Sequence, residues 1–337
     1  MRGRARTRVL ALWTAIGIAG GTAGNVLGGA LTEWGSWRAT LLINVPIGVG
    51  VAVAAFGVIA PDVRAQSRPR PDIPGAVLVT AGLMSTAYGM GEAAVRGWTA
   101  PVTIAALTAG ILLLGGFVLV ETLWADNPLI PVRLWRIRSV VVGNAMMLLA
   151  RACLNPMWFF LTLSMQNGLG YGPLQTGLAF LPHTLLAVAV GARLTPWLMD
   201  RVDGRILIAG GGLLAAAGFA WQARLDAASG YVDGILGPAM LFSIGAGLLN
   251  TLLTAAVTAG VDPADAGAAS GLMNTAKQVG AGFGLAILVT LATPDSVEGA
   301  GQNVLAGYGH AFAVTAVVML IAARRRHAAS SPAPPGS

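Results

Sequence analysis

Apolar residues run through this chain in ten long blocks separated by short polar breaks. The blocks are Leu10–Thr32, Ala39–Ala60, Gly75–Glu92, Val102–Trp124, Val140–Leu163, Leu174–Met199, Ile206–Ala223, Gly234–Gly260, Ala268–Leu291 and Tyr308–Ala323. A helix needs about 20 apolar residues to cross a hydrocarbon core of about 30 Å. The seventh block is marginal and the tenth is the weakest. The unbroken part of the tenth, Ala311–Ala323, rises only ~20 Å at about 1.5 Å per residue. It must take in His310 and the residues before it, or thin the bilayer locally. The pattern predicts an all-α, polytopic membrane protein of about ten transmembrane helices.

Composition agrees. Hydrophobic residues make up 55% and charged residues 10%, where a soluble domain carries about a quarter charged. The net charge of +7 points to topology rather than to nucleic acid, because the arginines fall in alternate loops. With the N-terminus in the cytoplasm, the inner segments hold Arg2, Arg4, Arg6 and Arg8, then Arg64, Arg68 and Arg70, then Arg133, Arg136 and Arg138, then Arg201 and Arg205, and finally Arg324, Arg325 and Arg326. The outer segments hold only Arg38, Arg96 and Arg224. That asymmetry places both termini in the cytoplasm and requires an even number of spans. Trp37, Trp98 and Tyr171 then sit at outer ends, where amphipathic rings favour the interface. The basic start does not read as a signal peptide, because its apolar run is too long and lacks a cleavage pattern. The single cysteine, Cys153, is expected to be a small buried packing residue, and no disulfide or thiol metal site is available within one chain.

Four blocks of chain emerge. Residues 1–60 form one hairpin, residues 61–136 open with a proline- and arginine-rich loop and hold a second hairpin, and residues 137–326 form six consecutive spans. Residues 327–337 form a polar, proline-rich cytoplasmic tail expected to be disordered.

Against this background, intramembrane polar residues stand out. Arg151 lies mid-span, where a charge costs about 2.5–3.5 kcal/mol on insertion scales and faces a cavity or a partner. Asn144, Arg151 and Asn155 share a helical face, and Pro156 after them is placed to kink the helix. This stripe is the leading candidate for a transport cavity wall, with pairing to backbone carbonyls as the plainer alternative. Asn274, Lys277 and Gln278 make a second patch. Asn250, Thr254 and Thr258 make a third, which carries less weight because such stripes serve mostly as interhelical hydrogen bonds. His183, near the outer end of its span, is read as structural, with proton carriage as the minor alternative. Gly20, Gly24 and Gly28 recur every four residues, with Gly29 alongside, so that bare backbone lines one helix face and allows close approach. Gly271, Gly280 and Gly284 hint at a repeat of that pattern in the ninth block. No cofactor or metal is expected. The chain lacks the phosphate-loop pattern of ATP-driven systems, the H-E-x-x-H and G-x-S-x-G patterns, and paired membrane carboxylates. An enzyme is therefore not expected.

The motifs resemble those of a known family. Gly20-x3-Gly24-Asn25-x2-Gly28-Gly29 is similar to the antiporter signature in the fifth span of drug-exporting major facilitator transporters, with Asn25 where the family has proline. Trp37-Arg38 followed by Leu42-Ile43-Asn44-Val45-Pro46-Ile47-Gly48 resembles the start of the sixth span in the fourteen-span drug:proton antiporter branch. Leu163-Ser164-Met165-Gln166 with Gly170-Tyr171, and the segment Gly267 to Asn274 with Gln278-Val279-Gly280, resemble later parts of the same branch. Pro196-x3-Asp200-Arg201-x-Asp203-Gly204-Arg205 is similar to its cytoplasmic gate motif, with Pro196 for the first glycine and Asp203 as an extra acid. A charge cluster there, built on Asp200, Arg201, Gly204 and Arg205, would lock one conformation; a plain cytoplasmic turn is the equal alternative.

The resemblance implies a plasma (inner) membrane exporter of small amphipathic compounds, working by alternating access and exchanging its substrate for protons. It assigns residues 1–60 to spans five and six, 61–136 to two extra linking spans, and 137–326 to the second six-helix bundle. The first four spans have no counterpart, so the N-terminal bundle is expected to be incomplete. The alternative is a transport-inactive remnant of such an exporter.

Overall fold

The computed structural model describes residues 20–21, 23–58, 72–124, 128–225, 229–292 and 308–319. The leading arginines, the proline-rich loop, the C-terminal tail, about half of the first apolar block and the last residues of the tenth lie outside these residues. Among the described residues all regular structure is helical. We number the helices α1 (residues 23–34), α2 (Trp37–Val58), α3 (Ile73–Arg96), α4 (Pro101–Leu123), the short α5 (Val132–Arg136), α6 (Arg138–Gly168), α7 (Pro173–Met199), α8 (Gly204–Gln222), α9 (Tyr231–Thr258), α10 (Ala266–Ala292) and α11 (Tyr308–Met319). Eight of them, α2 to α4 and α6 to α10, have the length and apolarity to cross a membrane. These match the second to ninth apolar blocks, and the chain is a multi-pass membrane protein.

Local chemistry sets the helix ends. Asp72 caps α3 by accepting from the Gly75 amide at 3.0 Å, and Pro101 and Pro173 open α4 and α7 at the position where a missing N–H costs nothing. Gly97 ends α3 with φ +87°, a backbone state that other residues adopt only with strain. Within α6 the helix is interrupted at Asn155, where Pro156 follows and brings no N–H. Wide π-type turns lie within α6, α7 and α9, at Ser164–Gly168, Val190–Leu194 and Tyr231–Leu236.

The main core lies among α6 to α11. Phe160 of α6, Phe219 of α8, Phe242 of α9 and Phe312 of α11 meet there, with Phe160 and Phe312 rings 5.9 Å apart and Phe219 and Phe242 rings 5.2 Å apart. The described part of the tenth block thus packs firmly into the bundle. Cys153 is buried in this core, as its surroundings in the sequence suggested.

Small residues draw the helices together. A Cβ at Gly284 or Gly280 of α10 would run into the backbone of Ala152 or Leu148 of α6. A Cβ at Gly245 of α9 would lie 2.5 Å from the Gly211 carbonyl of α8. The α3–α4 hairpin closes in the same way, Gly110 lying against Thr86, and Ser85 Oγ donating to the Ala106 carbonyl at 2.8 Å. This hairpin rests on α10, where Trp98 Nε1 donates to Thr290 Oγ1 at 3.2 Å.

The first hairpin behaves differently. α1 meets the start of α7: a Cβ at Gly29 would lie 2.5 Å from the Pro173 carbonyl, and one at Gly177 2.5 Å from the Asn25 carbonyl. Glu33 accepts from the Leu174 amide at 3.3 Å, at the positive end of α7. Nothing among the described residues lies within 4 Å of a Cβ built at Gly20 or Gly24. The close approach expected along Gly20, Gly24 and Gly28 is therefore made by Gly29 instead, one residue off the stripe. Among the described residues, a Cβ at Gly28 would meet the Thr40 methyl of α2, at an ordinary 3.7 Å. α2 buries no residue among those described, and its large apolar side chains face outward on all sides.

Candidate functional site

Arg151 sits near the middle of α6, half-buried. Its Nη2 donates to Asn250 Oδ1 of α9 at 2.6 Å, and its Nη1 to Asn155 Oδ1 one turn along its own helix at 3.3 Å. Both acceptors are neutral amide oxygens. The three residues line a cavity of about 340 Å³ between α6, α7 and α9, with Thr184, Ser243 and Thr251 adding hydroxyls and Trp158 and Phe242 an apolar wall. Asn250 belongs to the threonine-rich patch that the sequence ranked lowest. Its i, i+4, i+8 spacing with Thr254 and Thr258 was the available signal, but spacing alone does not say which stripe meets an arginine.

Asn144 departs from the expected stripe. It is buried, its Nδ2 donates to the Val140 carbonyl at 2.8 Å, and it does not line this cavity. At about 1.5 Å per residue, seven residues set Asn144 about 10.5 Å from Arg151 along the helix axis, beyond the residues that line this cavity. Asn155, four residues from Arg151, stays on its face.

The second polar patch divides as well. Asn274 and Gln278 line a larger cavity of about 740 Å³ between α3 and α10, walled by Leu83, Phe159 and Phe283. This space and the Arg151 cavity share no lining residue. Lys277 lines neither. It is half-buried in mid-α10, close enough to Arg151 for the two positive charges to act on each other.

His183 lies deeper than its place near a span end suggested. It is 1% exposed, and its ring stands 5.1 Å from that of Trp158 and 5.3 Å from that of Phe180. Its Nδ1 is 3.3 Å from Ser243 Oγ, which borders the Arg151 cavity. That environment fits a packing residue.

At the ends facing the α7–α8 loop, Arg201 donates through Nη1 to the Trp197 carbonyl at 2.9 Å and stacks over the Trp197 ring. Asp203 caps α8 by accepting from the Arg205 amide at 2.7 Å. Gly204 opens α8, with open space where a Cβ would stand. Asp200 makes no ion pair among the described residues. The charge cluster is thus open among the described residues, with the Arg201 side chain held by Trp197 and Arg205 engaged through its backbone amide.

A charge clamp does form elsewhere at this end. Arg133 of α5 grips Asp265 with two parallel hydrogen bonds, Nε to Oδ2 and Nη2 to Oδ1. Asp265, just ahead of α10, is 3% exposed. The hydrogen bond from Arg133 holds its carboxyl below the usual range, and the same bond raises the Arg133 guanidinium. The sequence marks Arg133 only as one of several inner arginines.

The family described as Major Facilitator Superfamily matches residues 1–285. The cephamycin export protein CmcT of Amycolatopsis lactamdurans is 50% identical over 319 residues, covering 94% of this chain and 65% of that protein. The puromycin resistance protein pur8 of Streptomyces alboniger is 36% identical over 318 residues, 92% of this chain and 60% of that one. The tetracenomycin C resistance and export protein of Streptomyces glaucescens is 32% identical over 287 residues, 84% of this chain and 52% of that one. The chain spans less than two thirds of the length of these curated relatives. With most of its length matched, and with an all-helical body of membrane-length helices, this chain belongs to the Major Facilitator Superfamily.

Proposed function

We propose that this protein exports small amphipathic antibiotics from the cell, as a proton-coupled antiporter of the fourteen-span branch. The observation that carries this reading is the 50% identity, over 94% of the chain, to a protein named for cephamycin export. The site supports it physically. A central arginine with amides and hydroxyls, facing a cavity of about 340 Å³ with an aromatic wall, suits an amphipathic guest of mixed polarity. In alternating access the α6–α11 bundle rocks against an opposed bundle around such a site. The α1–α7 contact, tight at Gly29 and Gly177, is where the two bundles would bear on each other.

The arginine distribution supports cytoplasmic termini in the plasma membrane. Arg133, Arg201 and Arg205 then face the cytoplasm, and the Arg133–Asp265 clamp braces the linking segment against that end of the bundle.

The test is antibiotic accumulation in a sensitive bacterial host carrying the full-length protein. Cephamycin should accumulate less than in cells with empty vector, and a protonophore should restore accumulation. Equal accumulation with and without the protein would sink the export reading. Export that persists after the proton gradient collapses would remove the antiport reading alone.

A further inference from the structure

Among the described residues, the middle of the α6–α10 bundle holds positive charge with no carboxylate beside it. Arg151 has five N–H donors, and those that are engaged meet the neutral oxygens of Asn155 and Asn250. The others have no protein partner among the described residues. Lys277 adds a second cation within electrostatic reach. The described carboxylates all lie at or beyond helix ends, from Glu33 to Asp265, and the ion pairs among described residues are Glu92–Arg96 and Arg133–Asp265. Neither touches this region.

An arginine in such a place is costly unless an anion meets it. The surroundings also fix where the anion would sit. Asn155 and Asn250 hold the guanidinium fork from two sides, so its remaining edge is presented in one orientation. The Thr184 and Thr251 hydroxyls that border the cavity donate to the Phe180 and Gly191 carbonyls, so the guanidinium is the donor offered there, beside an aromatic wall from Trp158. A planar fork with N–H groups left over matches a carboxylate, which accepts two parallel hydrogen bonds. The wall matches an apolar ring attached to it.

We infer that the compounds this protein transports carry a carboxylate, and that Arg151 is its docking cation. The inference rests on the export reading and narrows it: carboxylates are favoured, neutral analogues are tolerated weakly, and amines are repelled by Arg151 and Lys277 together. Releasing the anion leaves Arg151 dependent on the two asparagines alone, so the occupied state is the electrostatically balanced one.

The probes are 1-pyrenebutyrate, 1-pyrenebutanol and 1-pyrenebutylamine, which share one ring system and differ in charge. Equilibrium binding is measured on the full-length protein in lipid nanodiscs, with empty nanodiscs subtracted. The butyrate should bind roughly tenfold tighter than the alcohol, from a hydrogen-bonded charge pair, and the amine should bind weakest. Arg151→Gln should bring the butyrate to the level of the alcohol, while Arg151→Lys should keep part of the preference. Equal binding of all three by the unaltered protein, or a preference for the amine, overturns the inference without need of any variant. So does an unchanged butyrate preference in a folded Arg151→Gln protein. Efflux of the same probes from whole cells separates the two claims. Export of all three at equal rates keeps the export reading and removes this one; a butyrate preference in binding with no efflux of any probe leaves an anion site and removes export.

Discussion

Arg151 and Asn250 lie 99 residues apart in the chain and meet at 2.6 Å, Nη2 to Oδ1, across the α6–α9 contact. A hydrogen bond to a charged group contributes about 1.5–3 kcal/mol, so the amide is a main anchor of the guanidinium. Asn250→Ala should therefore lower export by about tenfold or more while the folded protein persists. Arg151→Ala should lower it further. Efflux rate per amount of monodisperse purified protein checks both, and undiminished export by Arg151→Ala would show that the residue lies off the transport path.

The α6–α10 contact is set by backbone on one side, because the atoms facing Gly284 and Gly280 belong to the Ala152 and Leu148 main chain. A helix backbone yields less than a flexible side chain. Gly284→Val should cost about 1–3 kcal/mol or more through overpacking. Gly271→Val, on the same helix with open space where its Cβ would stand, should stay within about 0.5 kcal/mol of the parent. Thermal unfolding in detergent compares the two. A similar loss in both would sink the assignment of the cost to the backbone contact.

The glycine signature of α1 should divide in the same way. Gly29→Leu must displace Pro173 at the head of α7 and should reduce folded protein sharply. Gly24→Leu, with no described atom within 4 Å of its Cβ, should leave the yield near that of the parent. Size-exclusion profiles of the two variants decide it; poor yield of Gly24→Leu would place an additional partner against that face.

The Arg133–Asp265 clamp carries a pH signature. The folded carboxyl titrates below its ordinary value of 3.8, chiefly because Arg133 hydrogen-bonds its ionised form. A depressed folded pKa gives stability that is full above the ordinary value and is lost as pH falls through the folded one. The parent should lose thermal stability on acidification below the ordinary carboxylate range, whereas Asp265→Asn should start lower at neutral pH and show a smaller acid-dependent loss. Parallel acid profiles for the two proteins would sink the assignment.

The fold was legible from the sequence because the bilayer imposes a length on every apolar run. The second to ninth blocks reappear as α2 to α4 and α6 to α10 with only small shifts at their ends. The break before Pro156 was equally readable, since proline removes a specific hydrogen bond. The site was legible in part. Insertion cost singled out Arg151, and four-residue spacing placed Asn155 beside it. Which other helix would face them depends on tertiary packing, so spacing alone does not say that Asn250 meets Arg151 or that Asn274 and Gln278 line a separate cavity. The α1 glycines were legible in part for a related reason. Spacing shows that a face is bare, but whether Gly24 or Gly29 meets a neighbour depends on how the helix is rotated.

The clamp between Arg133 and Asp265 also has a place in time. Its partners are 132 residues apart, and at about 5–20 residues per second the ribosome makes the second roughly 7–26 s after the first. Throughout that interval α5 is tethered only by its neighbours in the chain, while α6 to α9 enter the membrane. The clamp closes once the loop ahead of α10 has been delivered to the same side of the bilayer as α5. It therefore acts as a late latch: a bundle whose intervening helices inserted in the wrong number or sense would carry Asp265 to the opposite side, and Arg133 would be left without it.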